Sequence, residues 1–224
     1  DCAVTATFAE FPTQCTGTNN FNVAFFDAFS SAALDPARWT SYAHGGVIDV
    51  ANNAVTLIPG SSGFPYVAGV GNPIPAGNFS VRWIAAFGPQ NSYGDGSLAV
   101  TAALPADLAG SWSDVADAWQ DGGGYRVQVR AADNATVTTA YSQNPAQQTV
   151  HDVEYCWLGG STEVYVDGVQ VLSAPRNANI PRPHALWFGN PSATSGTTWN
   201  PFTLYYVEVR ALNDEIFKDG FETP

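Results

Sequence analysis

Residues 164–171 read VYVDGVQV, and this short stretch decides the fold class. The triplets on either side alternate as β-strands do, because successive side chains on a strand point to opposite faces of a sheet. The pair Asp167 and Gly168 between them tolerates the positive φ angles of a two-residue type I′ turn. The stretch therefore predicts a hairpin of two antiparallel strands.

Strand patterns continue outward from this hairpin in both directions. Residues 125–130 and 162–166 alternate between apolar and polar types, and similar short patterns recur roughly every ten residues along most of the chain. The chain has 21 glycines and 15 prolines, which supply the turns between strands. We therefore expect an all-β fold in which two antiparallel sheets form a sandwich of the jelly-roll type.

Composition and charge narrow the class of protein further. The chain has 224 residues, of which 45% are hydrophobic and only 12% charged, so one sandwich with a large core is expected. The net charge of −12 repels phosphate and anionic lipid, which excludes nucleic acid and membrane surfaces as expected partners. No apolar run is long enough to span a bilayer, so membrane insertion is not expected either.

The chain divides into three parts in this interpretation. We expect a disulfide-tied arm over residues 1–21, a sandwich domain over 22–213 and a short tail over 214–224. Cys2 and Cys15 lie close together in the arm, so the simplest prediction pairs them and leaves Cys156 as a buried thiol. A disulfide favours an oxidising compartment, and we expect a mature form that is secreted or periplasmic.

Four segments together resemble the concanavalin A-like lectin/glucanase domains, a group that includes the L-type lectins and laminin G-like domains. They are FDAF at 26–29, LDPARW at 34–39, GYRVQV at 124–129 and VYVDG at 164–168. The resemblance spans about residues 22–211 and implies two antiparallel sheets with a concave face that receives a glycan. The ending IFKDGFE at 216–222 resembles a tail found on secreted proteins of gammaproteobacteria, which supports bacterial export.

A glycan-binding site is the first functional hypothesis. The run YGDGSL at 93–98 is similar to the Asp-Gly-x-Ala-Phe run of L-type lectins, and this resemblance implies that Asp95, followed by Gly96, accepts hydrogen bonds from sugar hydroxyls. An ordinary turn is the alternative. Indole rings stack well on sugars, and the tryptophans that we place outside the core as a stacking surface are Trp112, Trp119 and Trp199.

A calcium site is predicted in one segment only, and not at the metal position of the L-type lectins. L-type lectins use acidic metal ligands on a strand that resembles 127–130 here, but this chain has Gln128 and Arg130, which cannot replace them. The segment 105–124 breaks the strand rhythm, and we predict a long loop or a short helix there. Its candidate calcium ligands are Asp114, Asp117 and Asp121, with a plain acidic loop as the alternative. No other cofactor is expected.

Catalysis is the second hypothesis. The glucanases of the resembled fold use a Glu-x-Asp-x-x-Glu strand, and this run is absent from the chain. Asp152 and Glu154 share a strand face and are the candidate catalytic pair, with a solvated strand face as the alternative. For a peptide-cleaving enzyme of this class, Gln128 with Glu154 or Glu208 would be the pair.

Three functions therefore remain open from the sequence. The first is a secreted bacterial, lectin-like protein that binds a glycan or polysaccharide. The second is an enzyme that cleaves an extracellular polysaccharide or peptide with carboxylates in the concave cleft. The third is a structural extracellular protein, because a fold does not by itself specify a function.

Overall fold

The computed structural model describes residues 12–15, 20–61, 63–87, 92–99, 114–121, 124–133, 135–141, 150–189 and 200–213. The regular elements of these residues are β-strands, and none of them forms a helix. The strands are β1 Asn20–Asp27, β2 Trp39–Tyr42, β3 Val47–Ala51, β4 Ala54–Ile58, β5 Tyr66–Gly69, β6 Phe79–Phe87, β7 Ser92–Ala99, β8 Asp114–Asp121, β9 Gly124–Arg130, β10 Thr136–Tyr141, β11 Val150–Trp157, β12 Ser161–Val166, β13 Val169–Pro175, β14 Ala185–Gly189 and β15 Phe202–Asn213.

The strands form two antiparallel sheets. Sheet A has eight strands in the order β13-β12-β11-β6-β15-β4-β3, with β1 paired to the C-terminal half of β15. Sheet B has seven strands in the order β10-β9-β8-β7-β14-β5-β2. The all-β, two-sheet antiparallel sandwich expected from the sequence is confirmed. No helix among the described residues is long and apolar enough to cross a membrane.

The core lies between the two sheets and is rich in aromatic rings. Trp83 on β6 stacks on Tyr155 of the neighbouring strand β11, with the ring centroids 5.2 Å apart. The same indole meets Phe188 of sheet B edge to face at 5.7 Å, so it joins the two layers directly. All three side chains are almost completely buried. Rings of this size bury a large apolar area each, which makes the contact between the sheets favourable.

The predicted hairpin between β12 and β13 is present. Asp167 has a φ of 52° and Gly168 a φ of 78°, as a type I′ turn requires. The Asp167 carboxylate also accepts a hydrogen bond from the backbone N–H of Asp152 at 3.0 Å, and its other oxygen lies 2.7 Å from Nδ1 of His151. The turn is therefore tied to strand β11 as well as to its own two strands.

The prediction of a loop or helix over 105–124 is wrong for residues 114–121, which form strand β8. Its sequence, DVADAWQD, is poor in the β-branched residues that favour strands, so the local signal is weak. Tertiary pairing outweighs that weakness because β8 is hydrogen-bonded to β7 on one side and to β9 on the other. Trp119 accordingly lies within a strand and not in a loop.

The predicted disulfide is also wrong. Cys15 is bonded to Cys156 on β11, across 141 residues of sequence, and not to Cys2. Cys156 is buried as expected but is not a free thiol. Proximity in sequence was the wrong guide, because the chain at residues 12–15 lies over sheet A and brings Cys15 within 5.5 Å of Cys156, Cα to Cα. Cys2, most of the expected arm and the tail 214–224 lie outside the described residues.

The contact between the sheets can be tested with Phe188→Ala. Loss of the ring should lower the free energy of unfolding by about 3 to 5 kcal/mol, since the lost apolar contacts and the cavity that remains both destabilise the folded state. Urea unfolding followed by tryptophan fluorescence measures the change. The control Val169→Ala alters a side chain that is 58% exposed and should shift stability by less than about 0.5 kcal/mol.

The disulfide can be tested with Cys156→Ala, which should lower the free energy of unfolding by about 3 to 5 kcal/mol because a very long loop is no longer closed in the unfolded chain. Urea titration under non-reducing conditions measures this loss. Cys2→Ser should leave stability unchanged. A large loss with Cys2→Ser instead would restore the pairing of Cys2 with Cys15.

Candidate functional site

The outer face of each sheet, meaning the face turned away from the core, could hold a ligand, and the two faces differ. On sheet A this face carries Asp152 and Glu154, which share one side of β11 as expected. Asp152 accepts two hydrogen bonds from the guanidinium of Arg82, one of them 2.8 Å long from Nε. Its carboxylate is therefore committed to an ion pair.

Glu154 is enclosed by the chain at residues 12–15. Its Oε1 accepts a hydrogen bond from the Thr13 hydroxyl at 2.8 Å, and its Oε2 accepts one from the backbone N–H of Gln14 at 2.9 Å. The residue is only 2% exposed. The face is thus covered at Glu154, whereas Asp152 keeps 32% of its side chain exposed. This geometry does not favour Asp152 and Glu154 as a catalytic pair.

Charges on this face are balanced by neighbouring groups. Burial alone would lower the pKa of Arg82, but the hydrogen bond and charge of Asp152, followed by the charge of Glu154, outweigh it and raise that pKa. Glu208 on β15 accepts hydrogen bonds from the Tyr206 hydroxyl at 2.7 Å and from Arg210 at 2.6 Å. These contacts describe a buried structural network.

The alternative pair for a peptide-cleaving enzyme is not brought together. Gln128 lies on β9 of sheet B, whereas Glu154 and Glu208 lie on β11 and β15 of sheet A. The core separates the two sheets, so Gln128 and either glutamate lie on opposite sides of the sandwich. The sequence could not show this, because it does not reveal which sheet a strand joins.

The outer face of sheet B carries a row of register partners that crosses all its strands. Trp187 identifies this row as belonging to the outer face, because its side chain is buried outside the main core in a small cluster with Ala68 and Ala185. Directly paired residues point to the same side of a sheet, so the row can be followed from strand to strand. From β2 to β10 it consists of Thr40, Ala68, Trp187, Ser97, Asp117, Gln128 and Thr138.

A bulge in β8 adds a second acidic position to this face. Leu98 pairs with Ala116, but the next residue, Ala99, pairs with Asp114, so β8 has one extra residue at this point. Such a bulge changes the alternation of faces along the strand. Asp114 and Asp117 therefore occupy register positions on the same face, two ladder steps apart.

Aromatic rings lie at the β2 end of the same sheet. Tyr42 stacks on Tyr66 with the centroids 4.7 Å apart, and the His44 ring meets Tyr66 edge to face at 5.3 Å. Tyr42 is 36% exposed, whereas Tyr66 is fully buried and its hydroxyl has no hydrogen-bond partner among the described residues. Burial, followed by the charge of Tyr42, raises the pKa of Tyr66 to about 12.

The structure brings several of the predicted residues together on neighbouring strands. Asp95 and Gly96 lie in β7, directly before Ser97 of the row. The three aspartates and Trp119 lie on β8, which pairs with β7. Trp112 and Trp199 lie outside the described residues. The calcium interpretation of Asp114, Asp117 and Asp121 stays a prediction, although on a strand and not in a loop.

Sequence reasoning did not select Tyr42, Tyr66 or Trp187 as residues of a functional site. Trp187 reads as an ordinary core residue in its strand, and the structure places it in a cluster of its own outside the main core. Tyr42 and Tyr66 are far apart in sequence and meet only because β2 pairs with β5. No sequence signal in a single chain announces that pairing.

Comparison with known proteins gives structural but not sequence relatives. No protein-family model matches the chain, and no curated protein matches it either. Among solved structures it is similar to SCLam, a non-specific endo-β-1,3(4)-glucanase from family GH16, with a TM-score of 0.60 and 12% identity over 86% of this chain and 92% of that one. The fold is the concanavalin A-like jelly roll.

Two further structures support the same fold. The endo-β-1,3-glucanase from Pyrococcus furiosus gives a TM-score of 0.57 at 8% identity, covering 86% of this chain and 95% of that one. The immunostimulatory antigen and pseudo β-1,3-glucanase of Mycobacterium tuberculosis gives 0.56 at 14% identity, covering 84% and 98%. The jelly-roll fold expected from the resemblance is thus confirmed.

Tyr66→Phe tests the buried hydroxyl through the pH dependence of stability. Because the folded chain holds this proton above the ordinary pKa of 10.0, its stabilising effect is complete below pH 10 and is lost as the pH rises through about 12. Between pH 10 and about 12 the variant should therefore lose less stability than the parent. Urea unfolding at a series of alkaline pH values measures the free energy of unfolding of both proteins.

At neutral pH the same variant should differ from the parent by less than about 1 kcal/mol, because it removes a buried hydroxyl that has no partner among the described residues. Tyr205→Phe, at a partly exposed tyrosine, is the control and should follow the parent. Equal alkaline losses in Tyr66→Phe and the parent would show that the buried proton does not contribute.

Proposed function

We propose that this chain binds a polysaccharide of the β-glucan class on the outer face of sheet B and hydrolyses it. The observation that carries the proposal is the bulge in β8, which gives Asp114 and Asp117 register positions on one face of a strand paired on both sides. Hydrolysis of a glycosidic bond requires two carboxyl groups close to that bond. Their ladder partners Ser97 and Ala99 are two residues apart on β7, which corresponds to roughly 7 Å along that strand.

The ladder partners of the two aspartates differ. Asp117 pairs with Ser97 and Gln128. Asp114 pairs with Ala99, which in turn pairs with Ala185. In this proposal one aspartate is the general acid and the other is the nucleophile or base.

Rings on the same face would position the polysaccharide. Tyr42 exposes part of its ring, and its stack on buried Tyr66 holds that ring in one orientation. A fixed aromatic surface binds the apolar face of a sugar at low entropic cost. Asp95 and Trp119, next to the row on β7 and β8, are the polar anchor and stacking residue in this proposal.

The structural neighbours support the hydrolase better than the lectin-like interpretation. Several of them are endo-glucanases by name, such as SCLam and the Pyrococcus furiosus protein. The outer face of sheet A leaves less room for a polysaccharide, because residues 13 and 14 cover it around Glu154. The disulfide between Cys15 and Cys156 supports an extracellular or periplasmic location, where such polymers are met.

Binding without cleavage is the second candidate. The chain lacks the Glu-x-Asp-x-x-Glu run, and its Mycobacterium tuberculosis neighbour is described as a pseudo β-1,3-glucanase. An aspartate side chain is also one methylene shorter than glutamate, which changes how far its carboxyl group reaches. Under this candidate the same row and rings bind the glycan, and no bond is broken.

The proposal is tested by incubating the protein with soluble β-1,3- and mixed-linkage β-1,3-1,4-glucans and measuring new reducing ends. Asp114→Asn and Asp117→Asn should each lower the rate about a hundredfold or more, because each removes a group that transfers a proton or attacks the sugar. Tryptophan fluorescence titration should show binding that changes little. Asp133→Asn, in an exposed turn, is the control with the same chemical change.

Saturable binding with no reducing ends would overturn the hydrolase and support the lectin-like candidate. Cleavage that survives both substitutions would contradict the residue assignment. A folded protein that neither binds nor cleaves these glucans would exclude both candidates for this class of polysaccharide.

A further inference from the structure

Two arginines lie in the connection from strand β13 of sheet A to strand β14 of sheet B, at residues 176–184. The guanidinium carbon of Arg176 lies 4.5 Å from the ring centroid of Trp157, and that of Arg182 lies 5.2 Å from the ring centroid of Phe79. These two rings stack on each other with their centroids 5.8 Å apart. We call Arg176 and Arg182 the arginine pair, because they cover neighbouring rings at the edge of the core.

Main-chain carbonyl groups hold both guanidinium groups in fixed positions. Nε of Arg176 donates a hydrogen bond to the carbonyl oxygen of Leu158 at 2.7 Å, and Nη2 of the same residue donates to the same oxygen. Nη1 of Arg182 donates to the carbonyl oxygen of Gly77 at 2.9 Å. A carbonyl group carries no net charge, so these contacts position the two cations without neutralising them.

The positive charge of the arginine pair is not balanced by a carboxylate. No ion pair joins Arg176 or Arg182 to an acidic side chain among the described residues. Burial, followed by the charge of Arg182, lowers the pKa of Arg176, and burial lowers the pKa of Arg182. The two groups are therefore close enough to repel each other, although both remain cationic at neutral pH.

Two buried polar atoms of this region have no hydrogen-bond partner among the described residues. One is Nη2 of Arg182, and the other is the hydroxyl oxygen of Thr162, a residue that is only 2% exposed. Thr162 pairs with Trp157 in the ladder, so its side chain lies on the same inner face of sheet A as the ring that Arg176 covers. Buried polar groups normally have a partner, because an unpaired one costs free energy.

The chemistry of these groups specifies what the missing partner must be. A guanidinium group has only donors, and it forms strong, charge-assisted hydrogen bonds to carboxylate, sulfate and phosphate oxygens. A threonine hydroxyl can donate to the same oxygens. Glu163, which follows Thr162 on β12, points to the opposite face of the sheet and accepts a hydrogen bond there from the Tyr165 hydroxyl at 3.0 Å. The missing partner is therefore an acceptor that carries negative charge.

We propose that the arginine pair and the Thr162 hydroxyl bind an oxyanion, either a free inorganic anion or the carboxylate or sulfate group of an acidic sugar. Both arginines are partly exposed, so an anion can reach them from solvent. A bound anion would link residues 176–184 to sheet A through Thr162. The site shares no residue with the row on the outer face of sheet B, so it is independent of glucan binding and cleavage.

Thermal unfolding followed by tryptophan fluorescence tests the site with three probes: sodium sulfate, sodium glucuronate and glucose 6-sulfate. Sodium chloride keeps the ionic strength constant. A ligand that binds only the folded chain raises the unfolding midpoint in a saturable way. Sulfate also stabilises proteins by exclusion from their surface, but that effect does not saturate and is shared by every variant. We expect a saturable rise with at least one probe and none with neutral glucose.

The three probes distinguish the two sources of the anion. Tighter binding of glucuronate or glucose 6-sulfate than of inorganic sulfate would identify the charged group of an acidic sugar. Tighter binding of inorganic sulfate would identify a free anion.

Arg176→Gln and Arg182→Gln should each weaken the saturable effect about tenfold or more, because each removes a charge that binds the anion. Thr162→Val keeps the shape of the side chain, removes the hydroxyl and should weaken the effect about threefold or more. Arg38→Gln is the control, because this exposed arginine is paired with Asp35. It should keep the affinity within about twofold of the parent, since distant exposed charges are screened. Near-ultraviolet circular dichroism verifies that each variant is folded.

The proposal is overturned if the parent shows no saturable rise with any of the three anions, or if the folded arginine variants respond as the parent does. Equal weakening in Arg38→Gln would also overturn it, because the effect would then reflect total charge and not this site. An unchanged response in Thr162→Val would contradict the role of the hydroxyl. If one arginine variant fails to fold, the parent titration and the other variant still decide the outcome. Glucan cleavage is measured separately, so its failure and the failure of this site are distinguishable.

Discussion

The packing of aromatic rings between the two sheets is the constraint on which the rest of the structure depends. Trp83 contacts Tyr155 within sheet A and Phe188 of sheet B, so a single buried ring fixes how the layers meet. Because the apolar side chains of each strand turn toward this layer, their polar neighbours must turn to the outer faces. The core thereby determines which residues are available for chemistry on each side of the sandwich.

The two outer faces use their polar residues in opposite ways. On sheet A, buried carboxylates and guanidinium groups neutralise one another, and the chain at residues 12–15 is bonded over them through Cys15 and Cys156. Such a network stabilises only when its members are paired, which explains why Glu154 has three neighbours from this short segment. Sheet B instead presents a row of mixed polar and aromatic positions, and its rings are in part exposed.

The candidate glycan site shows what sequence reasoning can select and where it stops. Asp95 and Trp119 were predicted to bind a glycan and the β8 aspartates to bind calcium, and all of them fall on neighbouring strands of one sheet. Asp152 and Glu154 were chosen because they share a strand face, which is correct, but the face is enclosed by another part of the chain. A strand pattern specifies which residues point together and not what covers them.

The sequence by itself determined the fold class and the turn at Asp167 and Gly168, since alternation and the positive φ of that pair are local properties. Only the tertiary structure decided that β8 is a strand, that its bulge brings Asp114 and Asp117 to one face, and that Cys15 bonds to Cys156. Each of these depends on which distant segments become neighbours. That choice follows from burial and pairing summed over the whole chain, which no short stretch of sequence contains.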